Sequence, residues 1–158
     1  MIKYPMTVEG FNALKKEHAY LIKVVRPKLS QDIGAARALG DLKENAEYHA
    51  AREQQGMVEA RIRNIEGRLH NSVVIDIKTI PKTGKVLFGT TVKIINVKTD
   101  EIVVYHIVGE DEADFKLGKI SSSSPLASAL IARAEGDVVV VKTPGGLIEY
   151  EIIEVNHI

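Results

Sequence analysis

The 158-residue chain has no cysteine and no tryptophan. Without cysteine there can be no disulfide framework, no thiolate metal site and no thiol catalysis, and a reducing compartment, the cytoplasm, is the expected home. Long apolar runs are also missing. No eighteen apolar residues stand together, and Met1 to Val8 carries a lysine and a proline where a signal peptide would have an apolar core. Neither a membrane span nor a leader is expected. Net charge is absent too, with 21 Lys/Arg against 21 Asp/Glu, which argues against a protein that coats nucleic acid by charge alone. The five histidines His18, His49, His70, His106 and His157 show no ligand spacing, so no zinc site is indicated. Gly84, Gly89, Gly145 and Gly146 form no phosphate-cradling loop, and no serine lies in a nucleophile elbow.

The zero net charge conceals a split. Residues 1–75 hold 12 Lys/Arg and 9 Asp/Glu, leaving 9 and 12 for residues 76–158, a mild asymmetry that points to two tasks. The hydrophobic period changes at the same place. From Thr7 to Ala38, Phe11, Leu14, His18, Leu21, Val25, Leu29, Ile33 and Ala36 recur at spacings of three and four, the stripe of a coiled-coil helix. Thr7 reads as its N-cap, and Pro27 predicts a bend near Val25. A second stripe is read through Leu42, Ala46, His49, Glu53, Met57 and Ala60 and then Ile62, Ile65 and Leu69, with His18 and His49 packed in the seam. Only Leu39-Gly40-Asp41-Leu42 separates the stripes, so the helices fold back as an antiparallel hairpin.

After Asn71 the period falls to two, with β-branched runs at Val73 to Ile77, Thr90 to Val97, Ile102 to Val108, Asp137 to Val141 and Leu147 to Val155. Pro144-Gly145-Gly146 reads as a hairpin turn, and Pro125 to Ala134 as one short helix capped by Ser124. The expected class is α+β: a coiled-coil hairpin over residues 1–75, followed by a small antiparallel β domain with one short helix over residues 76–158.

The hairpin tip holds the candidate chemistry. Gly40 suits the end of helix one, Asp41 an N-cap of helix two, and Glu44 the third position of a capping box. Capping alone accounts for that spacing. It does not account for a third acid at Glu47, or for Arg37, Lys43 and Arg52 beside the acids at the end of a long rod. Carboxylates suit Mg²⁺, but two of them cannot complete an octahedral shell, so such a site would be half a site.

Gly40-Asp41-Leu42-Lys43-Glu44-Asn45-Ala46-Glu47-Tyr48, continuing through His49-Ala50-Ala51-Arg52-Glu53-Gln54-Gln55, resembles the tip motif of the bacterial Gre transcript cleavage factors. Asp111-Glu112-Ala113-Asp114-Phe115-Lys116, the run Ser124-Pro125 to Ala129-Leu130, and Val141-Lys142-Thr143-Pro144-Gly145-Gly146 are similar to that family as well. The resemblance implies a hairpin that enters the secondary channel of a backtracked bacterial RNA polymerase. There Asp41 and Glu44 would share a catalytic Mg²⁺ with the polymerase for cleavage of the nascent RNA 3′ end. The chain would then complete the polymerase's active site and not be an enzyme itself. Arg37, Lys43 and Arg52 would contact RNA or polymerase at the tip. An FKBP-like second domain would dock on the polymerase through Ser121, Ser124, Pro125 and Leu126, and the chain would act as a monomer. Ala132 stands where the family has glycine. Three rivals remain open: a channel binder without cleavage activity, a hairpin whose tip acids are caps only, and a prolyl isomerase or chaperone. The last must build its pocket with only Phe88, Tyr105, Phe115 and Tyr150 as large aromatics.

Overall fold

The first helical arm changes its winding where Pro27 withholds a backbone N–H. The computed structural model describes residues 2–158. The arm runs as α1 (Val8–Tyr20), a π-helical turn (Leu21–Val25) and α2 (Arg26–Arg37). Proline at position 27 would leave the carbonyl of Lys23 without its α-helical donor. The chain widens by one residue instead, and the Arg26 N–H reaches back to the Leu21 carbonyl. Thr7 caps α1 as expected, its hydroxyl accepting from the Gly10 N–H at 3.0 Å. The returning arm is α3 (Ala46–His70), unbroken at Gly56 and about 38 Å long at the usual rise.

The seam of α3 differs from the expected stripe over its first half. Met57 is 63% exposed and Leu42, outside the helix, 41%. The inward positions are Tyr48, Ala51, Gln55, Val58, Ile62, Ile65 and Leu69, a regular three-four alternation. Gln55 is half-buried at a seam position, and that polar letter hid the phase. His18 is half-buried, whereas His49 is exposed and lies outside the seam. Two forked ion pairs join the arms. Arg61 donates to Glu17 at 2.7 and 2.8 Å, and Arg26 to Glu59 at 3.0 and 2.8 Å. The hydrogen bonds from Arg61 hold the Glu17 carboxyl below the usual carboxylate range.

Residues 11–72 form one compact unit, and residues 4–10 with 73–158 form the other. In the second unit β1 (Tyr4–Thr7) pairs with β2 (Ser72–Ile75) in a small separate sheet. The main sheet holds β3 (Thr91–Asn96), β4 (Ile102–Val108), β5 (Lys119–Ser121), β6 (Val138–Thr143) and β7 (Gly146–Asn156) in the order β5-β4-β3-β7-β6. The sheet is mixed, not antiparallel throughout, because β5 runs parallel to β4. Two 3₁₀ turns, Glu110–Glu112 and Phe115–Leu117, return the chain between these strands. A bulge at Lys93/Ile94 lets Ile152 and Val155, three residues apart, both face inward opposite Ile94 and Val92. With Ile107 and Leu130 they form the dry centre of the core.

Helix α4 (Pro125–Leu130) begins as expected, with Ser124 accepting from the Ala127 N–H at 3.2 Å. It ends four residues earlier than the predicted Ala134. Beyond it Ala132 takes φ +72°, and its N–H donates to the Val86 carbonyl. This left-handed backbone strains any residue with a Cβ. Ala132→Gly is therefore expected to stabilise the strand unit by about 1 kcal/mol, strain relief exceeding the added freedom of the unfolded chain. A higher urea midpoint at unchanged slope is the measurement that checks it.

Candidate functional site at the hairpin tip

Helix α2 ends at Arg37, and the Leu39 and Gly40 amides turn back to the carbonyls of Ala36 (3.1 Å) and Arg37 (3.4 Å). Gly40 has φ +126°, which side chains rarely tolerate. The chain then crosses residues 41–44 without helix and enters α3 under Asn45. This corrects the expected capping box, since Asp41 is not the N-cap of the second arm and Glu44 lies before the helix. Asn45 is the cap, its Oδ1 accepting from the Tyr48 N–H at 3.0 Å while its Nδ2 donates to the Ala36 carbonyl at 2.6 Å. Asparagine suits the place because it carries both an acceptor and a donor, so one side chain caps α3 and clasps the end of α2. An aspartate there could only cap.

Both acids are thereby released from capping. Asp41, Glu44 and Glu47 line one open depression with Leu39, Asn45 and Ala46. Asp41 and Glu44 are exposed. Oδ1 of Asp41 accepts from the Lys43 N–H at 2.9 Å, which leaves the lone pairs of its other oxygen for a ligand. Hard carboxylate oxygens at an exposed place suit Mg²⁺, yet among the described residues no cluster of three or more acids or histidines is arranged to hold a metal. The donors fit part of a magnesium shell, the remainder of which must come from elsewhere.

The basic candidates lie on the three segments of the tip, the end of α2, the loop and α3. The Arg37 guanidinium lies 5.7 Å from the centre of the Tyr48 ring, within cation–π range. Lys43 sits in the loop between Asp41 and Glu44, and Arg52 is exposed on α3. His49 was not among the candidates, although its Nε2 lies 3.2 Å from the Lys43 carbonyl. Asn45 was missed as well, and its signal was an Asn three residues before the amide it caps.

The serine region in the strand unit is held by local bonds. Ser121 Oγ bonds Ser123 Oγ at 2.8 Å, Ser123 Oγ reaches Glu110 at 3.2 Å, and Ser124 caps α4. Pro125 is exposed at the first turn of that helix, while half-buried Leu126 packs on the core.

Two family descriptions match the chain: "Transcription elongation factor, N-terminal" over residues 4–74, and "Transcription elongation factor, GreA/GreB, C-term" over residues 81–157. The chain belongs to the GreA/GreB family of transcription elongation factors. This Gre-family chain is 77% identical over 158 residues to a protein of Pseudomonas syringae pv. tomato named transcription elongation factor GreA, with both chains covered in full. A Haemophilus influenzae protein of the same name is 54% identical over 158 residues, again covering 100% of each. Among solved structures, a GreA/GreB elongation factor from Nitrosomonas europaea aligns over 99% of each chain at 21% identity, with a TM-score of 0.44. The α+β architecture of a helical hairpin followed by a curled sheet is the form in which this Gre factor presents its tip.

Proposed function

We propose that this Gre factor enters the secondary channel of a backtracked bacterial RNA polymerase and there stimulates Mg²⁺-dependent cleavage of the nascent RNA 3′ end. What carries the reading is the tip itself, where two exposed carboxylates share one depression and neither caps a helix. When bound, Mg²⁺ supplies charge neutralisation at the phosphodiester and a more acidic water. Asp41 and Glu44 would hold part of that ion's shell through their carboxylate oxygens, with the polymerase, RNA phosphate and water needed to complete it. Glu44 also accepts a hydrogen bond from the attacking water and so orients it. Water adds to phosphorus as the P–O3′ bond breaks, which leaves an upstream 3′-hydroxyl for elongation and frees a 5′-phosphorylated fragment. Arg37, Lys43 and Arg52 place positive charge beside the RNA phosphates or acidic polymerase groups, contacts that weaken as salt rises.

The strand unit, which the family resemblance makes FKBP-like, serves as the docking module, with Pro125 and Leu126 next to the Ser121–Ser124 run as its contact region. A single copy of the chain acts in the cytoplasm, and the bond-breaking machinery belongs to the polymerase. The test is a stalled, backtracked bacterial polymerase given Mg²⁺ with and without the factor. Release of 3′ fragments is expected to accelerate by at least about tenfold, each tenfold corresponding to about 1.4 kcal/mol of barrier. Equal rates with and without the factor would exclude the proposal.

A further inference from the structure

Within the tip loop, the Lys43 backbone is held on both sides. Its N–H donates to Asp41 Oδ1 at 2.9 Å, and its carbonyl lies 3.2 Å from His49 Nε2. Among the described residues no backbone-to-backbone hydrogen bond holds positions 41–44. The carbonyl held by His49 belongs to the peptide that joins Lys43 to Glu44, so this bond bears directly on where Glu44 leaves the chain. A carbonyl only accepts, so His49 carries its proton on Nε2 here. The imidazole is oriented in turn: its ring meets Tyr48 edge-on at 5.6 Å, and the Arg37 guanidinium stands 5.7 Å from the Tyr48 ring.

We propose that His49 is a positioning residue, holding the Lys43–Glu44 peptide so that the Glu44 carboxylate stays directed toward the shared metal site. The inference rests on the cleavage reading above. It also gives Arg37 a second duty, as the outer member of a brace running from Arg37 through Tyr48 and His49 to the Lys43 carbonyl. Partners of this kind, which orient a ligand without touching the metal, typically change metal-dependent activity by about 10- to 100-fold when removed.

The experiment compares His49→Ala, which deletes the donor, with His49→Gln, whose amide can donate to the same carbonyl. His49 is exposed, so both variants should keep the helix signal and the melting temperature. Cleavage by a backtracked polymerase is followed against factor concentration, and ¹⁵N relaxation of the Lys43 and Glu44 amides is measured on the free protein. For His49→Ala the maximal rate is expected to fall about tenfold at an unchanged half-saturating concentration. The two amides should gain fast motion, and His49→Gln should restore both readouts. Wild-type rates in His49→Ala, or a loss expressed only as a higher half-saturating concentration with quiet tip amides, would overturn the proposal. An Asp41→Asn, Glu44→Gln variant run alongside separates the two ideas. If that variant is inactive while His49→Ala is fully active, the positioning role alone fails; if it is active, the tip acids have no part in the chemistry and the positioning role falls with them; if the unmodified factor itself gives no acceleration, the cleavage reading fails.

Discussion

Replacing Asp41 with asparagine and Glu44 with glutamine together is expected to abolish stimulation of RNA cleavage, by about a hundredfold or more, without changing helix content or melting temperature. Fold and activity separate because of Asn45. Were Asp41 the cap and Glu44 its box partner, the amides would preserve those bonds and a purely structural tip would register nothing. Capping instead falls to Asn45, which serves Tyr48 and Ala36 at once. The one bond Asp41 makes here, from the Lys43 N–H, survives in asparagine through its own Oδ1. What the amides lose is charge, and neutral oxygens are weak partners for Mg²⁺, the more so if, as proposed, the rest of its shell is supplied by another protein. Thermal melting by circular dichroism and fragment release from a backtracked polymerase are the paired measurements. A variant that still stimulates cleavage removes the acids from the chemistry.

Gly109→Ala is expected to destabilise the strand unit by about 3 kcal/mol, lowering its melting temperature by on the order of 10 °C. The cause is space and not backbone strain, since φ of −74° suits any residue. A Cβ at Gly109 would stand 2.4 Å from the Pro5 carbonyl oxygen and 3.3 Å from Glu112 Oε2. Pro5 is backbone within β1, so relief requires that strand to move. Beside it the Glu112 carboxylate gathers the Thr7 N–H at 3.1 Å, the Gly109 N–H at 3.2 Å and the Thr7 hydroxyl. Thr7 is buried, and displacing β1 would leave these donors without partners, a penalty of about 1–3 kcal/mol for a buried polar group. Thermal and urea melts of the full chain check the prediction. A melting temperature equal to the parent's would mean that β1 yields freely.

The same cluster explains a motif that spacing alone left unassigned. Asp111-Glu112-Ala113-Asp114 entered only through the family resemblance, with no role, and in the structure Glu112 is half-buried and ties a 3₁₀ turn to a strand more than a hundred residues away. Gly10 belongs to it as well, for a Cβ there would fall 2.0 Å from Glu112 Cδ. Nothing local in the sequence announces such a contact, because its partners meet only when the chain has folded. Ala132 illustrates the reverse. That the resemblance would put a glycine there was legible, but only the left-handed turn after α4 shows that backbone geometry is at stake.

Read from sequence alone, the chain already determines a helical hairpin followed by a strand unit, the turn at Gly40, the caps at Thr7 and Ser124 and the presence of acids at the tip. Those features rest on periods of 3.5 and 2 and on bonds spanning a few residues, interactions that local order encodes. Tertiary structure decided the rest: which face of α3 meets the first arm, the bulge that turns both Ile152 and Val155 inward, the parallel return of β5, and the choice of Asn45 over Asp41 as cap. Each depends on a partner distant in sequence or on competition between two nearby side chains to start one helix. Asn45 wins that competition because the Ala36 carbonyl, nine residues back, accepts its second bond.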